Sequence, residues 1–244
     1  TVLDEHPAAL LRLLPRTAPL AWVRRGDGLV AWGEVARVET RGPSRFADAE
    51  AAWAALRSRA VVRDDVDLPG TGPVAFGSFA FDEGSEQRSV LVVPRVVVGR
   101  RGGTAWITTI TTSQTSAGSA PTLAPVPSLA HVLEDVEPVT APGAVTYSEG
   151  AVADESWTAA VEQAVQQIRE GRLDKVVMAR DVQARTAQPI DPRWLLTRLA
   201  TAYAGCWTFS VDGMVGATPE LLVRSEKGLV TSRVLAGTIR RTGG

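Results

Sequence analysis

At 244 residues, with 45% hydrophobic and 22% charged side chains, the chain is ordinary for a soluble globular protein and long enough for one large domain or two small ones. Its 26 basic and 27 acidic side chains leave a formal net charge of −1, so it has no field to draw in nucleic acid or an anionic membrane surface. Cys206 is the one cysteine and His6 and His131 the two histidines, which excludes an intrachain disulfide and a thiolate metal cluster and argues against a His-rich metal site or a Ser-His-Asp triad.

Taken in chain order, residues 3–14 carry leucines at helical spacing and predict a short helix. Charges at Asp4, Glu5, Arg12 and Arg16 break this stretch, which does not read as a signal peptide. Leu20 to Val38 alternates as strand around the turn signal Gly26-Asp27-Gly28. Ala47 to Arg59 predicts a helix with Trp53 and Leu56 on one face. Strands are expected at Val74–Phe81, Ser89–Val98 and Thr104–Thr112, with Gly77 permitting close approach of another backbone. Residues 113–127 and 137–150 read as loops, with a helical turn at 129–136 between them. The best single domain cut falls near residue 150, separating a β-rich part, 1–150, from a second part, 151–244.

Beyond that cut, Asp154 or Ser156 can cap a helix with the apolar stripe Trp157, Val161, Ala164, Val165 and Ile168, ended by Gly171. Leu173–Val182 reads as a strand, and Asp191-Pro192 opens a further helix with proline at its first position. Asp212-Gly213 joins Cys206–Val211 to Met214–Ala217, and Glu226-Lys227-Gly228 joins Leu221–Ser225 to Leu229–Leu235, two hairpins in a row. Runs of antiparallel strand with interspersed helices predict an α+β fold. No apolar run approaches the length of a membrane span, and a single cysteine fits a cytoplasmic compartment. The strand 229–240 stops at Thr242-Gly243-Gly244 without a closing element, which reads as a cut.

Three segments can carry chemistry, and each has a plainer structural role. Lys175 shares a strand face with Val177 and Ala179; desolvated there it would lose pKa and act as a base, whereas at a strand start its ammonium reaches water. In Thr218-Pro219-Glu220 the glutamate is a candidate acid, or the three residues are an N-cap, a first-turn proline and a dipole-complementing carboxylate. Leu235-Ala236-Gly237-Thr238 offers backbone N–H groups and a hydroxyl to a carboxylate, or is a turn or bulge. Gly70-Thr71-Gly72 lacks the rest of a dinucleotide fingerprint, and no phosphate loop is present, so ATP or NAD is not expected.

In this order, Leu173-Asp174-Lys175-Val176-Val177-Met178-Ala179-Arg180, Gly216-Ala217-Thr218-Pro219-Glu220-Leu221-Leu222 and Leu235-Ala236-Gly237-Thr238-Ile239-Arg240-Arg241 resemble the chorismate-utilising enzymes, most of all the isochorismate synthases. The Trp157 helix joins this set, and Phe76-Gly77-Ser78-Phe79-Ala80-Phe81-Asp82 with Val93-Pro94 resembles the family's less specific upstream signature. The resemblance covers roughly residues 150–241 strongly and implies large antiparallel sheets with helices packed outside, here incomplete.

The resemblance also implies the reaction. Family members that add water carry lysine where Lys175 stands, whereas the anthranilate and aminodeoxychorismate synthases, which add ammonia, carry glutamine. Ala236 likewise matches the water-using pattern, because aminodeoxychorismate synthases typically carry a nucleophilic lysine there. Lys175 is thereby expected to deprotonate water attacking C2 of chorismate, and Glu220 to protonate the departing C4 hydroxyl, both with pKa values brought toward neutrality by burial. Ala236, Gly237 and Thr238 are implied substrate contacts. The expected function is that of an isomerase, isochorismate synthase, in menaquinone or siderophore biosynthesis; a salicylate synthase, or a non-catalytic fragment, is the alternative. Mg²⁺ is implied as cofactor, with glutamate ligands downstream of Gly244 and none within the chain, so residues 1–244 alone are expected not to turn chorismate over. Chorismate is the expected small-molecule partner of a monomer that binds neither nucleic acid nor membrane.

Overall fold

Strand alternation in the first hundred residues determines the main sheet. The computed structural model describes residue 6, residues 8–112 and residues 138–235. β1 (Leu20–Arg24) turns through Arg25-Gly26 into the long β2 (Asp27–Thr40), which pairs along its length with β4 (Ser89–Arg101). The opposite edge of β4 is shared by β3 (Phe76–Ser78) at its start and β5 (Thr104–Thr109) at its end. On the far side, β1 pairs with β8 (Trp207–Val211), and β8 with β9 (Met214–Thr218). The outcome is a seven-stranded antiparallel sheet, the α+β architecture that the sequence predicts.

Successive residues of these strands serve opposite faces, as a period of two requires. Ala21, Val23, Val30 and Val98 pack with the 3-10 turn Leu10–Leu13 and with Leu196 and Ala200 of a helix. Leu20, Ala31 and Val97 join Phe76, Val90, Val92 and Val211 on the other face. The helix carrying Leu196 spans Pro192–Ala202 and starts at the expected proline. Its Arg193 is buried and donates to the carbonyls of Leu14 and Pro138, tying the helix start to the turn below it.

The chain divides into two compact units, one of residues 1–139 with 192–244 and one of residues 140–191. These units do not coincide with a single cut near residue 150, because β8 and β9 complete the sheet begun by β1. In the smaller unit β6 (Val145–Glu149) pairs with β7 (Val182–Thr186), and between them lies a helix over Asp154–Arg169. Counting in chain order, α1 is Arg45–Ser58, α2 is Asp154–Arg169 and α3 is Pro192–Ala202.

Four local expectations need correction. Residues 145–149 read as loop from Pro138, Pro142 and Gly143, yet form β6, since pairing with β7 outweighs local composition. The N-terminal helix shrinks, over its described part, to the turn Leu10–Leu13. Asp154 is the first residue of α2 and not its cap; the cap position is held by Ala153, with no capping side chain. Strand from 74 to 81 reduces to β3, because β4 offers that edge only three residues, Val90 to Val92. The helical turn expected at 129–136 lies outside the described residues.

Candidate active site

The Lys175 segment lies in the unit of residues 140–191. Strand was expected over 173–182, but regular strand begins only at Val182, where it meets Glu149 as the last rung of the β6–β7 ladder. Past that rung the partner chain leaves through Gly150 toward α2, so residues 173–181 have no strand beside them within the unit. Lys175 is exposed, and Val177, on the face expected to be buried, is 84% exposed. The α2 stripe follows its predicted spacing, yet none of its residues is buried.

Glu220 lies in the other unit, at the corner between β9 and β10 (Leu221–Glu226). No helix starts at Thr218-Pro219-Glu220. The Glu220 N–H donates to Thr218 Oγ1 at 3.2 Å, a local turn that redirects the chain into β10. The helix-capping explanation of the glutamate therefore falls, and the carboxylate stands exposed. β10 forms a two-stranded hairpin with β11 (Leu229–Arg233), turned at Lys227-Gly228 with φ values of 50° and 80°. Ala236, Gly237 and Thr238 lie outside the described residues. Lys175 and Glu220 belong to different units, and each is placed within its own.

Other side chains organise the larger unit. Arg45, buried at the start of α1, donates to the carbonyls of Ala80 and Phe81 at 2.8 Å each and to that of Gly42 at 3.0 Å, and its guanidinium lies 4.5 Å from the Phe46 ring centre. It thereby pins the Phe76–Asp82 segment to α1. Sequence reading missed it, since an arginine in an alanine-rich helix gives no sign of a buried partner. Arg37 of β2 bonds Glu34 and, at 2.8 Å, Asp212 of the β8–β9 turn; these two carboxylates, Glu34 first, raise its pKa further. An apolar pocket of about 360 Å³, lined by Trp22, Leu29, Val74, Phe76, Phe209 and Met214, opens on the sheet. Gly216 makes room for its wall, because a Cβ there would fall 2.6 Å from the Phe209 ring. No ionisable side chain lines it, so it offers no group for proton transfer.

Among the described residues, no three His, Cys, Asp or Glu side chains gather closely enough to hold a metal ion. No described helix is long and apolar enough to cross a membrane.

The family described as "Chorismate binding enzyme" matches residues 20–243. A salicylate-biosynthesis isochorismate synthase of Pseudomonas aeruginosa is 28% identical over 243 residues, covering 93% of this chain and 50% of that protein. The isochorismate synthase MenF of Bacillus subtilis is 35% identical over 91 residues, 36% of this chain and 19% of MenF. Among solved structures, an isochorismate synthase of Bacillus anthracis, DhbC, described as specific for 2,3-dihydroxybenzoate, matches with a TM-score of 0.58 at 22% identity, over 93% of this chain and 51% of that one. The chain thus spans about half the length of the Pseudomonas protein and of the Bacillus anthracis structure. With the match running through both strand sets and both candidate segments, the chain belongs to the chorismate-binding enzyme family.

Proposed function

We propose that the intact gene product is an isochorismate synthase, in which Lys175 removes a proton from the water that attacks C2 of chorismate and Glu220 gives a proton to the C4 hydroxyl as it leaves. The observation that carries this reading is the lysine at 175, a residue that can take a proton from water, inside a family match extending over residues 20–243. As the C2–O bond forms, both ring double bonds shift, the electron pair passing around the ring from C2 through C1, C6 and C5 to C4, and the C4–O bond breaks. The proton taken by Lys175 balances the one given by Glu220, so substrate and product are isomers. Water is too weak a nucleophile without a base, and hydroxide too poor a leaving group without an acid, so both groups are needed in one turnover.

Ala236, Gly237 and Thr238 are proposed to meet the substrate through backbone N–H groups and the threonine hydroxyl. Mg²⁺, which the resemblance implies, would supply positive charge to the substrate carboxylate.

The test is product analysis of the intact gene product with chorismate and Mg²⁺. Isochorismate is the expected product; salicylate with pyruvate would favour the alternative, an enzyme that goes on to eliminate the side chain. Lys175→Gln and Glu220→Gln are each expected to lower kcat by a hundredfold or more, roughly the size of a lost general acid or base, with melting temperature unchanged. Parental rates in either variant would remove that residue from its role.

A further inference from the structure

Between Asp174 and Ala179 no hydrogen bond holds the chain among the described residues, yet the segment is fastened at both ends. Upstream, the Arg172 and Leu173 N–H groups donate to the Gln167 carbonyl at 2.9 and 3.3 Å, and Gly171, at φ 72°, turns the chain back along α2. Downstream, Arg180 pairs with Asp154 at the opposite end of the helix. Next to it, both Asp181 carboxylate oxygens accept from the Ala151 N–H, at 2.9 and 3.1 Å. Glu149 Oε1 accepts from the Asp154 N–H at 3.1 Å, which fixes the helix start to the end of β6.

Gly150 is part of this fastening. A Cβ at that position would stand 2.2 Å from the Asp181 carboxylate, so any side chain there would evict the carboxylate from its bond to Ala151. The reach of the segment is also bounded. About 20 Å of helix axis separates Gln167 from Asp154. The chain from Leu173 to Arg180 reaches only about 25 Å when fully extended. The backbone that carries Lys175 therefore has limited slack while the lower fastening holds, and gains the Arg180–Asp181 stretch when it opens, Val182 staying paired with Glu149.

We infer that Gly150, Asp181 and the Asp154–Arg180 pair form a clasp that sets the reach of Lys175, making Asp181 and Arg180 positioning residues. This rests on the proposed role of Lys175 as base. Both members of the Asp154–Arg180 pair are solvent-accessible, so the pair contributes little to folding stability. Its effect is expected in the placement of the base, where a shift of about 1 Å can lower a rate by up to a hundredfold.

The experiment uses the intact gene product with chorismate and Mg²⁺, and measures kcat, KM and melting temperature. Gly150→Ala, Asp181→Ala and Arg180→Asp are each expected to lower kcat about tenfold or more, with KM within about twofold and melting little changed. The exchanged pair, Asp154→Arg with Arg180→Asp, is expected to recover most of the loss, which a purely steric or substrate-contacting role for Arg180 would not produce. Lys175→Gln runs alongside. If it abolishes activity while the three clasp variants keep kcat within twofold of the parent, the clasp is overturned and the base stands. If the clasp variants lose melting temperature but retain kcat per folded molecule, the contacts are structural and the inference is also overturned. If Lys175→Gln itself remains active, the base assignment fails and the clasp fails with it.

Discussion

Lys175 and Glu220 are chemically matched to opposite halves of one proton exchange, but among the described residues neither has a partner that fixes its side chain. Lys175 lies on a backbone held only at its ends, and Glu220 sits at a corner where only its N–H is bonded, to Thr218. Side chains whose work is structural show the contrast: Arg45 and Arg193 are buried and spend their donors on carbonyls of distant segments. Asp64 is an intermediate case. It accepts from the Thr71 hydroxyl and from the N–H groups of Val66 and Asp67, and these bonds, Thr71 first, lower its pKa from the ordinary 3.8. A lowered native pKa means that the stabilisation is present above the unfolded value and is lost as pH falls through the native one. Asp64→Asn should therefore lower the melting temperature at pH 7, and the gap from the parent should close below about pH 4, as a series of thermal melts would show.

Among the elements, α3 and the 3-10 turn lock one face of the seven-stranded sheet through Leu196, Ala200, Leu10 and Leu11. Leu196 is fully buried there, and Leu196→Ala should destabilise the fold by about 2–5 kcal/mol in urea unfolding, from lost transfer energy and the cavity left behind. The elements that could be read from sequence are those set by local chemistry. Asp212-Gly213 takes φ values of 50° and 84°, the positive pair that its hairpin demands, and Pro192 opens α3 where its missing N–H is harmless. Elements that depend on a remote neighbour were not legible. Residues 173–181 carry a strand pattern with no strand beside them, while the half-polar Val145–Glu149 becomes a strand because Val182–Thr186 lies alongside. The same division holds for the candidate site. Residue types and their order pointed to Lys175 and Glu220 as the proposed base and acid, but the contact of Asp181 with Ala151 joins residues 30 apart in the chain, which no local pattern records.

For the whole molecule, the last described strands carry the most exposed apolar surface. β10 and β11 form a two-stranded sheet of their own in which Leu222 is 85% exposed, with Leu229 and Val230 exposed toward its turn. An isolated hairpin is marginal in water, and exposed large apolar side chains invite association. Residues 1–244 prepared alone should bind the dye ANS and self-associate with rising concentration in size-exclusion chromatography. Leu222→Lys should weaken both effects, and if it changes neither, these side chains are not what drives them.

Under the proposed function Lys175 makes water the nucleophile, so the oxygen at C2 of isochorismate comes from solvent and can be read by isotope labelling. The intact gene product is incubated with chorismate and Mg²⁺ in H₂¹⁸O, and the ring product is examined by mass spectrometry for the parent and for Lys175→Gln. One ¹⁸O at C2 of isochorismate is expected with the parent, and labelled product forming at least about a hundredfold more slowly with the variant. Labelled isochorismate formed at the parental rate by Lys175→Gln, or an unlabelled product from the parent, would contradict that function.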